Sequence, residues 1–165
     1  MTNTANPYRV IQANLEDVNH QKIVLQMVHS FAQDTMANGQ GLPTETQGRL
    51  IEGLRRHPAK LIFIAFQEHR AVGISICFLG FSTFMAKPLV NIHDFYVKKD
   101  FRRKGIGKLL LQAVENTARE LGCGKLTLEV EEHNQKALAL YHSFGFDKVE
   151  YSAEAGMVLF RQKML

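Results

Sequence analysis

Features of exported, membrane-embedded and disulfide-stabilised proteins are missing from this sequence. Its two cysteines, Cys77 and Cys123, have no partner at CxxC or CxxxC spacing, so neither a zinc site nor a disulfide framework is indicated. The longest apolar run, residues 61–66, is far too short to cross a bilayer, and residues 1–10 contain no charged segment followed by an apolar one. We expect a cytoplasmic protein with no membrane partner.

An excess of positive over negative charge is missing outside one short segment. The chain has 20 lysines and arginines against 16 acidic residues, a formal net charge of +4. Six of these cations lie within residues 98–108, diluted only by Asp100, which leaves 14 cations against 15 acidic residues elsewhere. A cluster this local favours one compact anionic ligand over a nucleic-acid surface, which would need cations along several elements with interleaved aromatic residues.

The remaining composition is that of an ordinary globular protein. With 165 residues, 45% of them hydrophobic and 22% charged, the chain can bury one core. No composition break, internal repeat or low-complexity segment divides it, so we expect a single domain over residues 1–165.

Hydrophobic periodicity predicts the element order βααβββαβαββ, an α/β (mixed α+β) architecture with helices on both faces of a mostly antiparallel mixed sheet. Thr44 and Gln47 resemble a capping box at the start of the second helix. The predicted strands cover 8–13, 60–67, 71–81, 89–97, 125–130, 146–151 and 156–163, and the predicted helices cover 15–37, 44–56, 107–121 and 134–144.

A turn with two glycines joins the fourth predicted strand to the clearest helix. It reads Arg102-x-x-Gly105-x-Gly107 and opens an amphipathic helix, an arrangement that suits a pyrophosphate because glycines admit the backbone and a helix N-terminus attracts anions. Leu110 stands where a dinucleotide fingerprint needs glycine, and Leu109 where a P-loop needs serine or threonine. The alternative is a plain turn with a solvated cationic rim.

The second half of the chain resembles a known family. Four motifs carry the resemblance: DFYV at 94–97, the two-glycine turn, LEVEEHN at 128–134 and ALALYHSFGF at 137–146. Residues 95–149 are similar to the acetyl-coenzyme A binding core of the GNAT superfamily of N-acetyltransferases. One segment, KPLVNIHDFYV at 87–97, is also similar to a branch of this superfamily, the diamine (spermidine/spermine) acetyltransferases. The resemblance implies residues 1–59 as an acceptor-side strand and two helices, and residues 60–165 as the sheet with the coenzyme core.

The resemblance also implies how the coenzyme is held. The parallel strands that carry DFYV and LEVEE would splay apart and leave a slot for the pantetheine arm, which would pair with a strand edge. Asn134 would reach the arm or the loop around it, a role compatible with a simple helix N-cap. The implied contacts are Phe95, Tyr96 and Val97 on the strand, Asn134 and Tyr141 beyond it, and Arg102, Arg103, Lys104, Gly105, Ile106, Gly107 and Lys108 in the turn.

Tyr141 and His93 are the candidate catalytic residues. In this family a tyrosine at the position of Tyr141 protonates the departing thiolate, a task that suits a phenol; the alternative is a buried aromatic. The diamine branch places glutamate, followed by aspartate, where this chain has His93 and Asp94. His93 is therefore a candidate base or a hydrogen-bonded strand histidine, and a regular strand would point Asp94 the opposite way.

The implied reaction is direct acetyl transfer from acetyl-CoA, as co-substrate, to the primary amine of a small molecule such as a polyamine, amino acid or antibiotic. No covalent intermediate is expected. No metal is expected either, because residues 131–133, although all of ligand type, are consecutive and cannot all point to one site. Alternatives are a non-catalytic acyl-CoA sensor, a peptide or protein N-acetyltransferase and, on the charge cluster alone, a nucleic-acid binder. By analogy with the family we expect a homodimer. Asp34, Glu45 and Glu52 are expected to be surface charges, with acceptor contact as their alternative.

Overall fold

The computed structural model describes residues 6–35, 37, 39–147 and 163–164. In this part of the chain five strands and four α-helices follow one another in the predicted order. Their bounds are β1 Tyr8–Gln12, α1 Val18–Ala32, α2 Thr44–Arg56, β2 Lys60–Gln67, β3 Arg70–Ser82, β4 Lys87–Val97, α3 Ile106–Glu120, β5 Lys125–Leu128 and α4 Gln135–Ser143, with a 3₁₀ turn at Lys99–Phe101.

The five strands form one mixed sheet in the order β1-β2-β3-β4-β5. The first four pair antiparallel with their neighbours, β2–β3 and β3–β4 as hairpins and β1–β2 across the two intervening helices. β5 returns through α3 and pairs parallel with β4. The predicted fold class, a mostly antiparallel mixed sheet with one parallel pair, is confirmed.

Each face of the sheet carries its own apolar layer. One face, which we call the α3 face, packs Leu110, Leu111 and Val114 of α3 against inward side chains of β2, β3 and β4. The opposite α1 face packs Val24 and Met27 of α1 against the alternate residues of the same strands. β2 and β3 are buried on both sides, which explains why their sequences are continuously apolar.

Several details differ from the predictions. The first helix ends at Ala32, five residues short of the prediction. The two strands predicted at 146–151 and 156–163 lie almost wholly outside the described residues.

No helix among the described residues has the length and apolar character that crossing a bilayer demands.

The capping box predicted at the start of α2 is wrong. Pro43 occupies the N-cap position and no side chain caps the helix. Gln47 donates instead to the carbonyl oxygen of Leu42 at 2.8 Å. Thr44 therefore sits one residue inside the helix, where its hydroxyl cannot act as the cap.

Gly73 lets α3 approach β3 closely, and we expect Gly73→Ala to lower the free energy of unfolding by about 1–3 kcal/mol. A Cβ there would lie 3.1 Å from Cδ1 of Leu110, 3.2 Å from Cγ2 of Ile106 and 3.2 Å from the carbonyl oxygen of Tyr96. The carbonyl belongs to β4 and cannot move away without disturbing the sheet. Urea unfolding at constant m-value measures the change.

Gly53→Ala is the matched control for this substitution. Gly53 lies in α2 with nothing within 4 Å of its added Cβ, so alanine should stabilise the protein by about 0.5–1 kcal/mol through helix propensity. Equal effects of both substitutions would contradict the close α3–β3 contact.

Candidate functional site

A β-bulge in β4 lies at His93, next to the point where the pairing of β4 with β5 ends. Ile76 lies opposite Asp94 and Cys77 opposite Ile92, so His93 has no partner on β3. Such an extra residue bends its strand and increases its twist. β5 stays paired with β4 only as far as Ile92 and Leu128, while β4 continues to Val97. We call the stretch beside residues 93–97, where β4 has no partner on β5, the gap.

Main-chain groups of β4 that make no hydrogen bond to β3 face this gap. The N–H of Lys98 donates to the carbonyl oxygen of Val72 at 2.9 Å, so the alternation of an antiparallel ladder turns the N–H and C=O groups of Phe95 and Val97 away from β3. Within the described chain, the carbonyl of Val97 accepts from Nε of Arg102 at 2.9 Å. An extended ligand can therefore pair with β4 at Phe95.

The two-glycine turn leads from β4 to α3 through left-handed backbone conformations. Arg103 has φ of 65° and Gly105, the N-cap of α3, has φ of 81°. The first intrahelical bond runs from the N–H of Leu109 to the carbonyl of Gly105, so the amides of the first three helical residues point out without intrahelical partners. We call residues 103–108 the amide turn. Its exposed lysines and arginine make it a ready anion site.

The two glycines of the turn have different physical roles. Gly105 faces open space and is needed for its positive φ. Gly107 has no such φ, but a Cβ there would lie 2.8 Å from Cδ2 of Leu140 and 3.6 Å from Cε1 of Phe95. It allows α4 to pack against the start of α3, which places Tyr141 of the same helix near the gap.

Tyr141 lies beside the open edge of β4. Its ring meets Phe95 at a centroid distance of 5.9 Å and Phe146 at 5.8 Å, both edge to face, and its side chain is buried. Burial raises the pKa of Tyr141 to about 12. The Tyr141 hydroxyl has no hydrogen-bond partner among the described residues. Since every fully enclosed polar side-chain atom of the described chain has a partner, this hydroxyl is not fully enclosed and reaches solvent. Both interpretations of Tyr141, buried aromatic and proton donor, fit this placement.

His93 and Asp94 both face the α1 side of the sheet, so the expectation of opposite directions is wrong. Asp94 lies directly opposite Ile76, whose side chain belongs to that layer, and the ring of His93 meets Phe78 of the same layer at 5.4 Å. The bulge interrupts the alternation that a regular strand would keep. Burial raises the pKa of Asp94, which the charge of His93 partly offsets.

Two further aromatic residues line this side of the site. His57, which follows α2, packs on Phe78 at 4.7 Å and continues the row of rings from His93. Nδ1 of His57 accepts from the N–H of Ala59 at 3.3 Å, which orients the ring. No sequence motif marks His57 or Phe78, since only the strand register brings them beside His93.

Other candidates have structural partners. The side chain of Asn134 accepts from the N–H of Ala137 at 3.2 Å and caps α4, as the simpler interpretation had it. Cys77 is fully buried 3.3 Å from the hydroxyl of Ser75, and burial raises the pKa of its thiol to about 12, which makes it a poor nucleophile. No metal-binding group of three His, Cys, Asp or Glu residues occurs among the described residues.

The three early acidic residues behave differently. Glu45 and Glu52 form exposed ion pairs with Arg49 and with Arg55 and Arg56, as expected for surface charges. Asp34 does not, because its side chain is only 11% exposed and pairs with Arg102. The expectation of a surface charge at Asp34 is therefore wrong.

Comparison with known proteins identifies the family of this chain. The sequence model of the Acetyltransferase (GNAT) family matches residues 25–146. A thialysine N-epsilon-acetyltransferase of Caenorhabditis elegans is 27% identical over 143 residues, which cover 86% of this chain and 85% of the relative. An L-ornithine N5-acetyltransferase of Arabidopsis thaliana is 37% identical over 73 residues, 44% of this chain and 32% of that protein's length.

The solved structures agree on the fold. An aminoglycoside acetyltransferase from an uncultured soil metagenomic sample superposes with a TM-score of 0.76 at 20% identity, covering 96% of this chain and 97% of the other. The family match and the agreement in fold together define an acyl-group transferase. This chain belongs to the GNAT family and is an N-acetyltransferase.

Proposed function

We propose that this protein transfers the acetyl group of acetyl-CoA directly to a primary amine of a small molecule. The observation that carries the proposal is the continuity of two features: the gap at the free edge of β4 and the amide turn that follows the same strand. A ligand with an anionic end and an extended amide-bearing arm matches both. Coenzyme A has that shape.

The path of the arm follows from the order of these features. The amide turn lies beyond the C-terminal end of β4, so a diphosphate held there sends the arm back along the strand. The arm passes Val97 and then Phe95, where main-chain groups face the gap. Its thioester end then reaches the bulge at His93 and Asp94, with Tyr141 packed on Phe95 from the other side.

The acceptor amine enters, in this proposal, from the α1 face of the sheet. Asp94 and His93 lie there beside the rings of Phe78 and His57, and α1 and α2 cover the neighbouring part of that face. A carboxylate next to aromatic rings attracts an ammonium group. Residues 1–59 thus cover the acceptor side, while residues 60–165 supply the coenzyme side and the strand residues that the amine meets.

The chemical step follows from these positions. His93 or Asp94 takes a proton from the incoming ammonium, directly or through water, because only the neutral amine attacks. The nitrogen forms a bond to the acetyl carbon, the carbon–sulfur bond breaks, and the Tyr141 hydroxyl gives its proton to the departing sulfur. The bonded nitrogen then loses a second proton to solvent, which returns a proton to Tyr141. The base releases the proton that it took from the ammonium, so the product amide carries no charge.

Two measurements on the full chain test the proposal. Calorimetric titration with coenzyme A should give a dissociation constant between about 1 µM and 100 µM, within the range usual for enzyme substrates. Acetyl-CoA with amines should then release free thiol. The panel contains a lysine analogue, ornithine, a diamine and an aminoglycoside, because relatives are named for thialysine and ornithine acetylation and a structural neighbour for aminoglycosides.

The outcomes separate the alternatives. Absence of binding at millimolar coenzyme A refutes the proposal. Binding without turnover of any amine favours a non-catalytic acyl-CoA sensor, which the imidazole at position 93 makes worth testing, since the diamine branch has glutamate there. Turnover of a peptide amino terminus alone favours a protein N-acetyltransferase. The homodimer implied by the family resemblance stays a prediction, checked by light scattering of the same sample.

A further inference from the structure

The guanidinium group of Arg102 is bound by the protein itself. Its Nε donates to the carbonyl oxygen of Val97 at 2.9 Å, a terminal N–H donates to the carboxylate of Asp34, and its Cζ lies 5.8 Å from the ring centroid of Tyr96. The Asp34 side chain is 11% exposed and that of Arg102 35% exposed. This is a partly buried, charge-assisted contact between the end of α1 and the end of β4.

The amide turn begins directly after Arg102, in a conformation that needs support. Arg103 has φ of 65°, which costs a residue with a side chain about 1–2 kcal/mol. Within the turn, Ile106 is fixed by its side chain, which is 1% exposed in the core. The turn is therefore anchored at two points, by Arg102 and by Ile106.

We propose that Asp34 and Arg102 form a clasp that holds the amide turn in its anion-binding shape. Arg102 then acts as a positioning residue, whereas the family resemblance implies a contact with the diphosphate. Asp34 belongs to the segment after α1, so the acceptor half of the domain shapes the coenzyme site. The inference rests on the proposed function, because it assumes that the turn binds coenzyme A.

The sign of one substitution separates the two roles of Arg102. Asp34→Asn removes a negative charge near the site of a polyanion and frees the guanidinium, so Coulomb's law and a direct phosphate contact both predict equal or tighter binding. The clasp predicts the opposite, since the turn loses one of its two anchors. We expect the dissociation constant of coenzyme A to rise about tenfold, or about 1.4 kcal/mol.

Asp100→Asn is the matched control. Asp100 lies in the 3₁₀ turn two residues before Arg102, is exposed, and makes no ion pair with any described residue. The same change of charge is made there without breaking the clasp. Coenzyme A should bind this variant as tightly as the wild type or slightly more tightly.

Arg102→Lys provides the second, milder test. A single ammonium group cannot bond the Val97 carbonyl and Asp34 with the geometry of a guanidinium fork, so the clasp predicts a loss again near tenfold. A diphosphate contact would survive, because lysine is itself a good phosphate ligand. The double variant Asp34→Asn/Arg102→Lys should bind no more weakly than either single variant, since both remove the same contact.

Two readouts show whether the effect concerns the turn. Hydrogen exchange of the Leu109 amide, which closes the first helical bond onto the carbonyl of Gly105, should accelerate in both single variants while the core of α3 stays protected. The KM for acetyl-CoA should rise with kcat within about threefold. A lower melting temperature with an unchanged dissociation constant would overturn the clasp, as would tighter binding by Asp34→Asn or near wild-type binding by Arg102→Lys. Failure of the wild type to bind coenzyme A would instead refute the proposed function.

Discussion

Replacing Tyr141 with phenylalanine should lower kcat by at least about 100-fold, because general acid catalysis by a positioned side chain contributes about 10²–10⁴-fold. Phenylalanine keeps the ring contacts with Phe95 and Phe146, so the fold and the gap should persist. The dissociation constant of coenzyme A should change by less than about threefold. Steady-state kinetics with saturating amine, beside calorimetric titration, measures both quantities.

The pH dependence of this enzyme gives an independent check on Tyr141. Burial raises its pKa to about 12, so the hydroxyl stays protonated throughout the usual assay range. Activity should therefore rise as the amine and its base lose protons and should show no decline from Tyr141 below about pH 11. A decline with a midpoint near pH 9 that disappears in Tyr141→Phe would mean that the phenol titrates far below this value.

Tyr8→Phe is the matched control for the same chemical change. Tyr8 lies on β1, at the opposite edge of the sheet from β5, and should tolerate loss of its hydroxyl with kcat within about twofold. If both variants kept wild-type turnover, Tyr141 would be a packing residue and the proton for the thiolate would come from elsewhere.

Local patterns were enough to predict the elements around the site. β2 and β3 are continuous apolar runs because both faces of the central sheet are covered, and the turn before α3 is marked by its glycines and cations. The four motifs of the family resemblance lie within residues 94–146, on both sides of this turn. Each of these signals depends on neighbouring residues in the chain, which is why a single sequence carries them.

Contacts between distant residues were beyond sequence analysis. Arg102 looks like an anion ligand in its own segment, and only its partner 68 residues earlier changes that interpretation. His57, Phe78 and His93 meet because two antiparallel ladders set their register. The bulge that turns His93 and Asp94 to one face could not be predicted, because no glycine or proline lies at this point of the strand.

Gly105→Val should weaken coenzyme A binding about 30-fold or more. Gly105 has φ of 81°, a conformation that is costly for any side chain and most costly for a β-branched one, so valine should force the start of α3 into another shape and turn its amides away from the anion. Because a Cβ at Gly105 would meet nothing within 4 Å, steric crowding inside the protein is not the cause. Calorimetric titration measures the loss.

Gly105→Asn tests whether the backbone is responsible. Asparagine adopts the left-handed region far more readily than valine, so this variant should bind coenzyme A within about fivefold of the wild type. Equal losses for valine and asparagine would mean that any side chain at this position blocks the ligand directly. Wild-type affinity in both variants would contradict the amide turn as the diphosphate site, since a turn with a changed backbone could not keep three helical amides aimed at one anion.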